Sequence, residues 1–248
     1  MTEAIARKLL DVTAESYRKI ARPFSDTRNR IWTDCTAFAS DVKKGAHVLD
    51  VGCGNGKLVP WLLEKDISSY TGIDLNPEFI RIAKERYLAD ACTFLEGDIL
   101  TLNTMSLGKQ QFDVVLCIAV LHHLPSERMR IAALKNLREC LSEGGVLIMT
   151  NWNFFETIGK KSIWRYAYER MAKHTSSREY PDLSWRDMLT HWKSNEVDEI
   201  LYYHAFTPRE LKKLLRLAGF ERIECWYTSN GARAHWWNGR NISTIAYV

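Results

Sequence analysis

The strongest chemical signal in the chain is the run Asp50-Val51-Gly52-Cys53-Gly54-Asn55-Gly56, an acid followed by three glycines at alternate positions. Glycine at such spacing lets the backbone turn sharply and lets a ligand approach it directly. Phosphate-binding loops share this property, but a dinucleotide fingerprint needs G-x-G-x-x-G, and the residue three after Gly54 is Lys57. An acid directly before the loop repels a pyrophosphate and suits a cationic amino group. The ligand that meets both conditions is adenosylmethionine, held by its methionine moiety.

Two further acids fit a nucleoside. Asp74 lies eighteen residues past Gly56, where a carboxylate at a strand end can accept from both hydroxyls of a ribose. The alternative for Asp74-Leu75-Asn76-Pro77 is a surface turn. Asp98 can accept from an adenine amino group while Ile99 packs on the ring.

Buried strands must hold these groups at one edge of a sheet. The short apolar run 47–51 reads as a parallel strand ending at the glycine loop. Strand-like runs at 70–74, 93–96, 112–118 and 146–150 alternate with helical stretches at 57–65, 77–88 and 126–141. That alternation implies right-handed βαβ units and a doubly wound, mostly parallel α/β sheet. Residues 3–20 and 29–42 read as N-terminal helices, and 208–219 as a further helix. The runs 220–227 and 241–248 read as a closing antiparallel hairpin. Between the fifth strand and the 208–219 helix, the polar, basic segment 151–199 holds Trp152, Trp164, Trp185 and Trp192 and reads as a helical, aromatic insertion. The chain is expected to be a single domain of 1–248: an N-terminal helical extension 1–44, a cofactor half 45–151, an insertion or lid 152–200 and a C-terminal helix and hairpin 201–248.

Composition narrows the class. With 46% hydrophobic and 26% charged residues, the chain can bury one large core. Its net charge of +4 fits a polyanionic partner without requiring one. The six cysteines show no C-x-x-C pair and no histidine at ligand spacing, so buried thiols in a reducing cytoplasm, with no metal, are expected. No stretch approaches the ~20 apolar residues that cross a bilayer, so no membrane partner is expected.

In combination, Asp50–Gly56, Asp74, Gly97-Asp98, Phe112–Val115 and Leu141–Gly145 resemble the class I (Rossmann-like) methyltransferases. A finer resemblance lies in Tyr17-x-x-Ile20-Ala21-x-x-Phe24-Ser25-x-Thr27-Arg28-x-x-x-Trp32, in Ile118-Ala119-Val120-Leu121-His122-His123, and in Tyr202-Tyr203-His204-x-Phe206. These are similar to the tRNA wobble-uridine carboxymethyl O-methyltransferases, which esterify 5-carboxymethyluridine. The resemblance implies S-adenosyl-L-methionine as cofactor, tRNA as partner and a small zinc-binding activator subunit. The chain departs from the family in its tryptophan-rich insertion and in Trp236-Trp237 standing before Asn241. A small-molecule O- or N-methyltransferase with the insertion as lid is therefore the alternative.

The candidate cofactor set is Tyr17, Asp50, Gly52, Cys53, Gly54, Asn55, Gly56, Asp74, Leu75, Asp98, Ile99 and Ile118. A carboxylate acceptor is ionised at neutral pH and needs orientation rather than a general base. Arg28 is the first candidate for that role, as a guanidinium fork, and His122 the second, just after the fourth strand. Trp32, Trp152, Tyr203 and His204 are candidates for the acceptor, with core packing as the alternative for Trp32 and edge-strand or lid packing for Tyr203 and His204. Basic and aromatic residues interleave at Lys160-Lys161-x-x-Trp164-Arg165-Tyr166 and Arg233–Arg240, a mixture suited to unpaired RNA or to a solvated surface.

Overall fold

The structure is a computed structural model, and it describes residues 1–27, 33–38, 40–87, 91–105, 107, 111–156, 162–173, 180, 182–194 and 197–248. Five strands alternate with helices in the first part of the chain: β1 (His47–Val51), α2 (Val59–Leu63), β2 (Ser69–Asp74), α3 (Pro77–Arg86), β3 (Cys92–Glu96), β4 (Phe112–Ile118), α4 (Glu127–Glu139) and β5 (Leu141–Trp152). After an insertion come α6 (Pro208–Leu217), β8 (Arg222–Ser229), β9 (Ala232–Ala234) and β10 (Asn241–Tyr247). The strands form one sheet in the order β3-β2-β1-β4-β5-β10-β8-β9. Neighbours among β1 to β5 run parallel, whereas β10 runs antiparallel between β5 and β8. This is the mostly parallel sheet with an antiparallel C-terminal pair that the sequence leads one to expect.

Alternation along each strand divides the core between the two faces. Leu49, Val115 and Leu147 pack against α4 and α6, and Val48, Val114 and Val146 against α2 and α3. The order reverses between β1 and β4, so their carboxyl ends diverge and leave a crevice. Helix starts facing that edge are fixed locally. The Asn76 side chain accepts from Glu78 N ahead of Pro77, and Ser126 accepts from Met129 N.

The structure departs from the expected boundaries in three places. The first helix, α1 (Glu3–Thr27), continues well past Ile20 and carries Pro23. Its buried stripe, Ala6-Leu9-Thr13-Ser16-Ile20, contains two small polar residues because these bond to a strand backbone. Thr13 Oγ1 accepts from Tyr202 N at 3.2 Å, and Ser16 Oγ donates to Ile200 O at 2.8 Å. Within the expected helix 29–42, the described residues Thr33–Phe38 wind as a 3-10 helix. The insertion, expected to be helical, holds α5 (Ile163–Lys173) and an antiparallel pair, β6 (Asp187–Ser194) with β7 (Val197–His204). Met188-Leu189-Thr190 and Ile200–Tyr203 are rich in strand-forming residues, and cross-strand pairing outweighs local helical preference. Among the described residues, no helix is long and apolar enough to cross a membrane.

Candidate functional site

The glycine loop sits at the carboxyl end of β1, at the crevice. Gly52 N and Cys53 N both donate to Ile73 O, at 2.7 and 3.0 Å, which ties the loop to β2. Gly52 adopts φ 76°, and a Cβ there would lie 2.2 Å from Val120 Cγ2. Gly54, at φ 56°, would point a Cβ into open space on the cleft side. Gly52→Ala is therefore expected to cost roughly 2–3 kcal/mol from left-handed strain and overpacking. Val120→Ala in the same chain should recover only the steric part. Thermal melting checks this: an unchanged Gly52→Ala midpoint, or full recovery in the double variant, would refute it.

A cleft opens above the loop, walled by α1 and α3. Tyr17 and Phe24 of α1 meet edge to face at 5.7 Å, and Phe24 meets Phe79 of α3 at 5.9 Å. Asp50 lies on the cleft floor, 1% exposed. Its Oδ2 accepts from Tyr70 Oη at 2.9 Å, and its Oδ1 is buried with no hydrogen-bond partner among the described residues. Burial pushes this carboxyl up to about 7, against the Tyr70 hydrogen bond and the Lys57 charge. Asp74 accepts from Gly54 N at 2.8 Å and Asn76 N at 2.9 Å, one on each oxygen. Each oxygen keeps a second lone pair for a ligand hydroxyl. Burial raises Asp74 to about 6. Asp98 and Ile99 line the far wall, and Asp98 Oδ1 accepts from Leu100 N at 2.9 Å.

An orphaned buried carboxylate oxygen, a diol-sized pair of acceptors and an apolar wall beside an acid match the amino group, ribose and adenine of S-adenosylmethionine. Tyr17, Gly52, Cys53, Gly54, Asn55, Leu75 and Ile118 also line this cleft. Gly56 does not. A Cβ there would meet the Tyr87 ring at 2.9 Å, so Gly56 serves packing beneath the loop. Cys53 is buried, and burial raises its thiol well above its ordinary value.

A second cleft of about 600 Å³ lies beyond Phe24, which lines both. Trp152 at the end of β5, Arg165 and Tyr166 of α5, Trp192 of β6 and Tyr203 of β7 wall it. Trp152 stacks on Tyr203 at 5.1 Å and 21°. Tyr166 Oη accepts from Leu189 N at 2.8 Å and pins α5 to the hairpin.

Two further sequence candidates, besides Gly56, are corrected. His122 is fully buried behind Trp152 and Tyr203, accepts from Trp152 N at 3.4 Å on Nδ1, and lines neither cleft. Its neighbour His123 is the one that reaches the first cleft. His123 Nδ1 lies 2.9 Å from Tyr202 O, which can only accept, so Nδ1 carries the proton and Nε2 accepts from Tyr17 Oη at 3.1 Å. Burial brings His123 down to about 4, which keeps it neutral.

His204 also lines neither cleft, because successive strand residues face opposite ways and Tyr203 takes the inward position. Its ring nitrogens contact Asp187 Oδ1 at 2.8 Å and Glu210 Oε1 at 2.9 Å. Glu210 in turn accepts from Arg130 and Arg186. Arg28 and Trp32, with Lys160 and Lys161, lie outside the described residues. Sequence reasoning missed the roles of Phe24, Phe79 and His123; Arg165 it placed in a basic, aromatic run without assigning it to a cleft. Among the described residues, no cluster of His, Cys, Asp or Glu is disposed to hold a metal.

A family described as a methyltransferase domain matches residues 20–224. The chain is 26% identical to a tRNA (carboxymethyluridine(34)-5-O)-methyltransferase of Schizosaccharomyces pombe, over 89% of this chain and 92% of that one. It is 35% identical over 136 residues to the tRNA (carboxymethyluridine(34)-5-O)-methyltransferase alkbh8 of Xenopus tropicalis, of which it spans only 20%. The fold is shared with an SAM-dependent methyltransferase of Methanosarcina mazei, at 22% identity and a TM-score of 0.61, covering 84% of this chain and 94% of that one.

Proposed function

The chain belongs to the methyltransferase-domain family and is an S-adenosylmethionine-dependent enzyme, and on that premise we propose that it esterifies the carboxylate of 5-carboxymethyluridine at the wobble position of tRNA. The observation that carries this reading is the second cleft, which adjoins the first through Phe24 and offers the Trp152–Tyr203 stack. A flipped, unpaired base stacks on such a platform. The name and near-complete span of the fission-yeast relative support the same acceptor.

When bound, S-adenosylmethionine supplies a methyl group on a cationic sulfur that leaves as a neutral thioether. The chain aligns and dries the site. Asp50 holds the amino group through the oxygen that has no other partner, Asp74 accepts from the ribose, and Asp98 with Ile99 takes the adenine. Phe24, placed between the clefts, excludes water from the line of transfer. Neutral His123 takes no proton; it holds the Tyr17 hydroxyl in place. Arg165, on the wall of the second cleft, joins Arg28 as a group to orient the acceptor carboxylate without accepting its charge. Residues 152–200 serve as the acceptor lid. A small zinc-binding activator subunit and a cytoplasmic location complete the proposal.

Incubation with methyl-labelled S-adenosylmethionine and tRNA from cells lacking this protein should give label that is both nuclease-sensitive and released by mild alkali, as an ester requires. Label that resists alkali would point to N- or C-methylation. Label found only on small molecules would establish the insertion as a small-molecule lid instead.

A further inference from the structure

The loop between β9 and β10 carries residues that neither cleft uses. We propose that it is an aromatic ledge on which an unpaired nucleotide next to the target base stacks, its phosphates met by Arg233 and Arg240; this rests on the tRNA reading above. Trp236 and Trp237 are 48% and 43% exposed, unusual for residues with so much apolar surface to bury. The His235 and Trp237 rings lie parallel at 4.4 Å and 2°, which offers a flat, preformed face.

The loop is tied by hydrogen bonds to the end of β5, where Trp152 walls the acceptor cleft. Asn153, 3% exposed, donates from Nδ2 to Trp236 O and to Gly239 O, both at 2.7 Å, and its backbone N–H donates to Arg240 O. Asn153 directly follows Trp152, which pairs with Asn241 at the start of β10. Gly239 closes the turn where a Cβ would strike Tyr227 Cβ at 2.8 Å. The ledge is thereby fixed one residue from the wall that holds the target base.

Charge selects the occupant. Residues 232–240 contain two arginines and no acid, and both arginines are exposed, Arg233 with its guanidinium over the Trp226 ring at 4.9 Å. Cations beside exposed ring faces suit a single-stranded polyanion, whose bases stack without regard to sequence. A target base flipped into the cleft leaves its neighbours unstacked, and the ledge, bonded to Asn153 beside the Trp152 wall, is offered to one of them.

The test is fluorescence anisotropy with a labelled anticodon stem-loop RNA. Trp236→Ala/Trp237→Ala should weaken RNA binding about 10- to 100-fold while calorimetry finds adenosylhomocysteine affinity unchanged. Trp237→Phe, which keeps a ring face, should retain most of the binding. Arg233→Gln/Arg240→Gln should flatten the salt dependence of log Kd by roughly one unit, a change that a purely structural loop would not produce. RNA affinity within about twofold of wild type in the double tryptophan variant overturns the ledge alone, if the wild-type enzyme methylates tRNA. A wild-type protein that neither binds the stem-loop nor labels tRNA overturns the ledge and the tRNA reading together.

Discussion

Asp50→Asn is expected to weaken adenosylhomocysteine binding about 100-fold, on the order of 3 kcal/mol, because it removes the carboxylate set against a buried ammonium. Asparagine still offers an oxygen to Tyr70 Oη, so the fold should persist. The carboxyl moves from an ordinary 3.8 to about 7 through burial. Between those values the folded, ligand-free protein holds a proton that the unfolded chain has released. Its stability therefore falls as pH rises through that window and levels off above it. Asp74, raised to about 6, contributes with the same sign. An arriving ammonium favours the ionised carboxylate, so binding below about pH 7 should release a proton. Calorimetry in two buffers of different ionisation enthalpy measures that release. Equal affinity and equal proton release in Asp50→Asn would sink the assignment of this oxygen to the amino group.

His204→Ala should lower the melting midpoint by about 10 °C, corresponding to roughly 3 kcal/mol, by removing the ring that bridges the buried Asp187 and Glu210 carboxylates by hydrogen bonds. Burial opposes ionisation of Asp187 and Glu210, yet hydrogen bonds from His204, joined by Tyr202 at Asp187 and the arginine charges at Glu210, hold both below the usual carboxylate range. Their contribution to stability is complete above the ordinary carboxylate values and is lost as pH falls through the lowered ones. The variant should accordingly show a weaker acid dependence of its midpoint than wild type. A variant that melts like wild type at neutral pH, with the same acid dependence, would remove the network from any role in anchoring the hairpin.

The parts of the site written in local sequence were legible. Asp50, Asp74 and Asp98 each stand at or just after a strand end, and strand ends in a doubly wound sheet face one edge. What depended on rotation about the chain was not legible. Nothing in Leu121-His122-His123 tells which histidine faces the cleft; a 3-10 turn after Ala119, itself at φ 60°, decides it. His204 was misassigned for a related reason, since the strand period that separates it from Tyr203 counts only once β7 is known to be a strand. The hairpin had a signal in Met188–Trp192 and Ile200–Tyr203, two β-prone runs separated by a short polar stretch, but the basic and aromatic composition obscured it. Phe24 and Phe79 belong to helices far apart in sequence and become one wall only through packing.

The N-terminal helix has a consequence for the order in which the molecule assembles. Thr13 and Ser16 bond to Tyr202 and Ile200, at sequence separations of 189 and 184. A chain emerging from the ribosome presents α1 well before β7, yet the surface that receives it is complete only after β7 has been synthesised. Contacts this distant close late, because loop entropy must be overcome before they form. The glycine loop can settle on β2 early, whereas Tyr17 and Phe24 arrive with α1. A nascent chain thus carries the floor of its donor cleft long before it has the roof, and competence to retain the methyl donor is acquired only once β7 has been made.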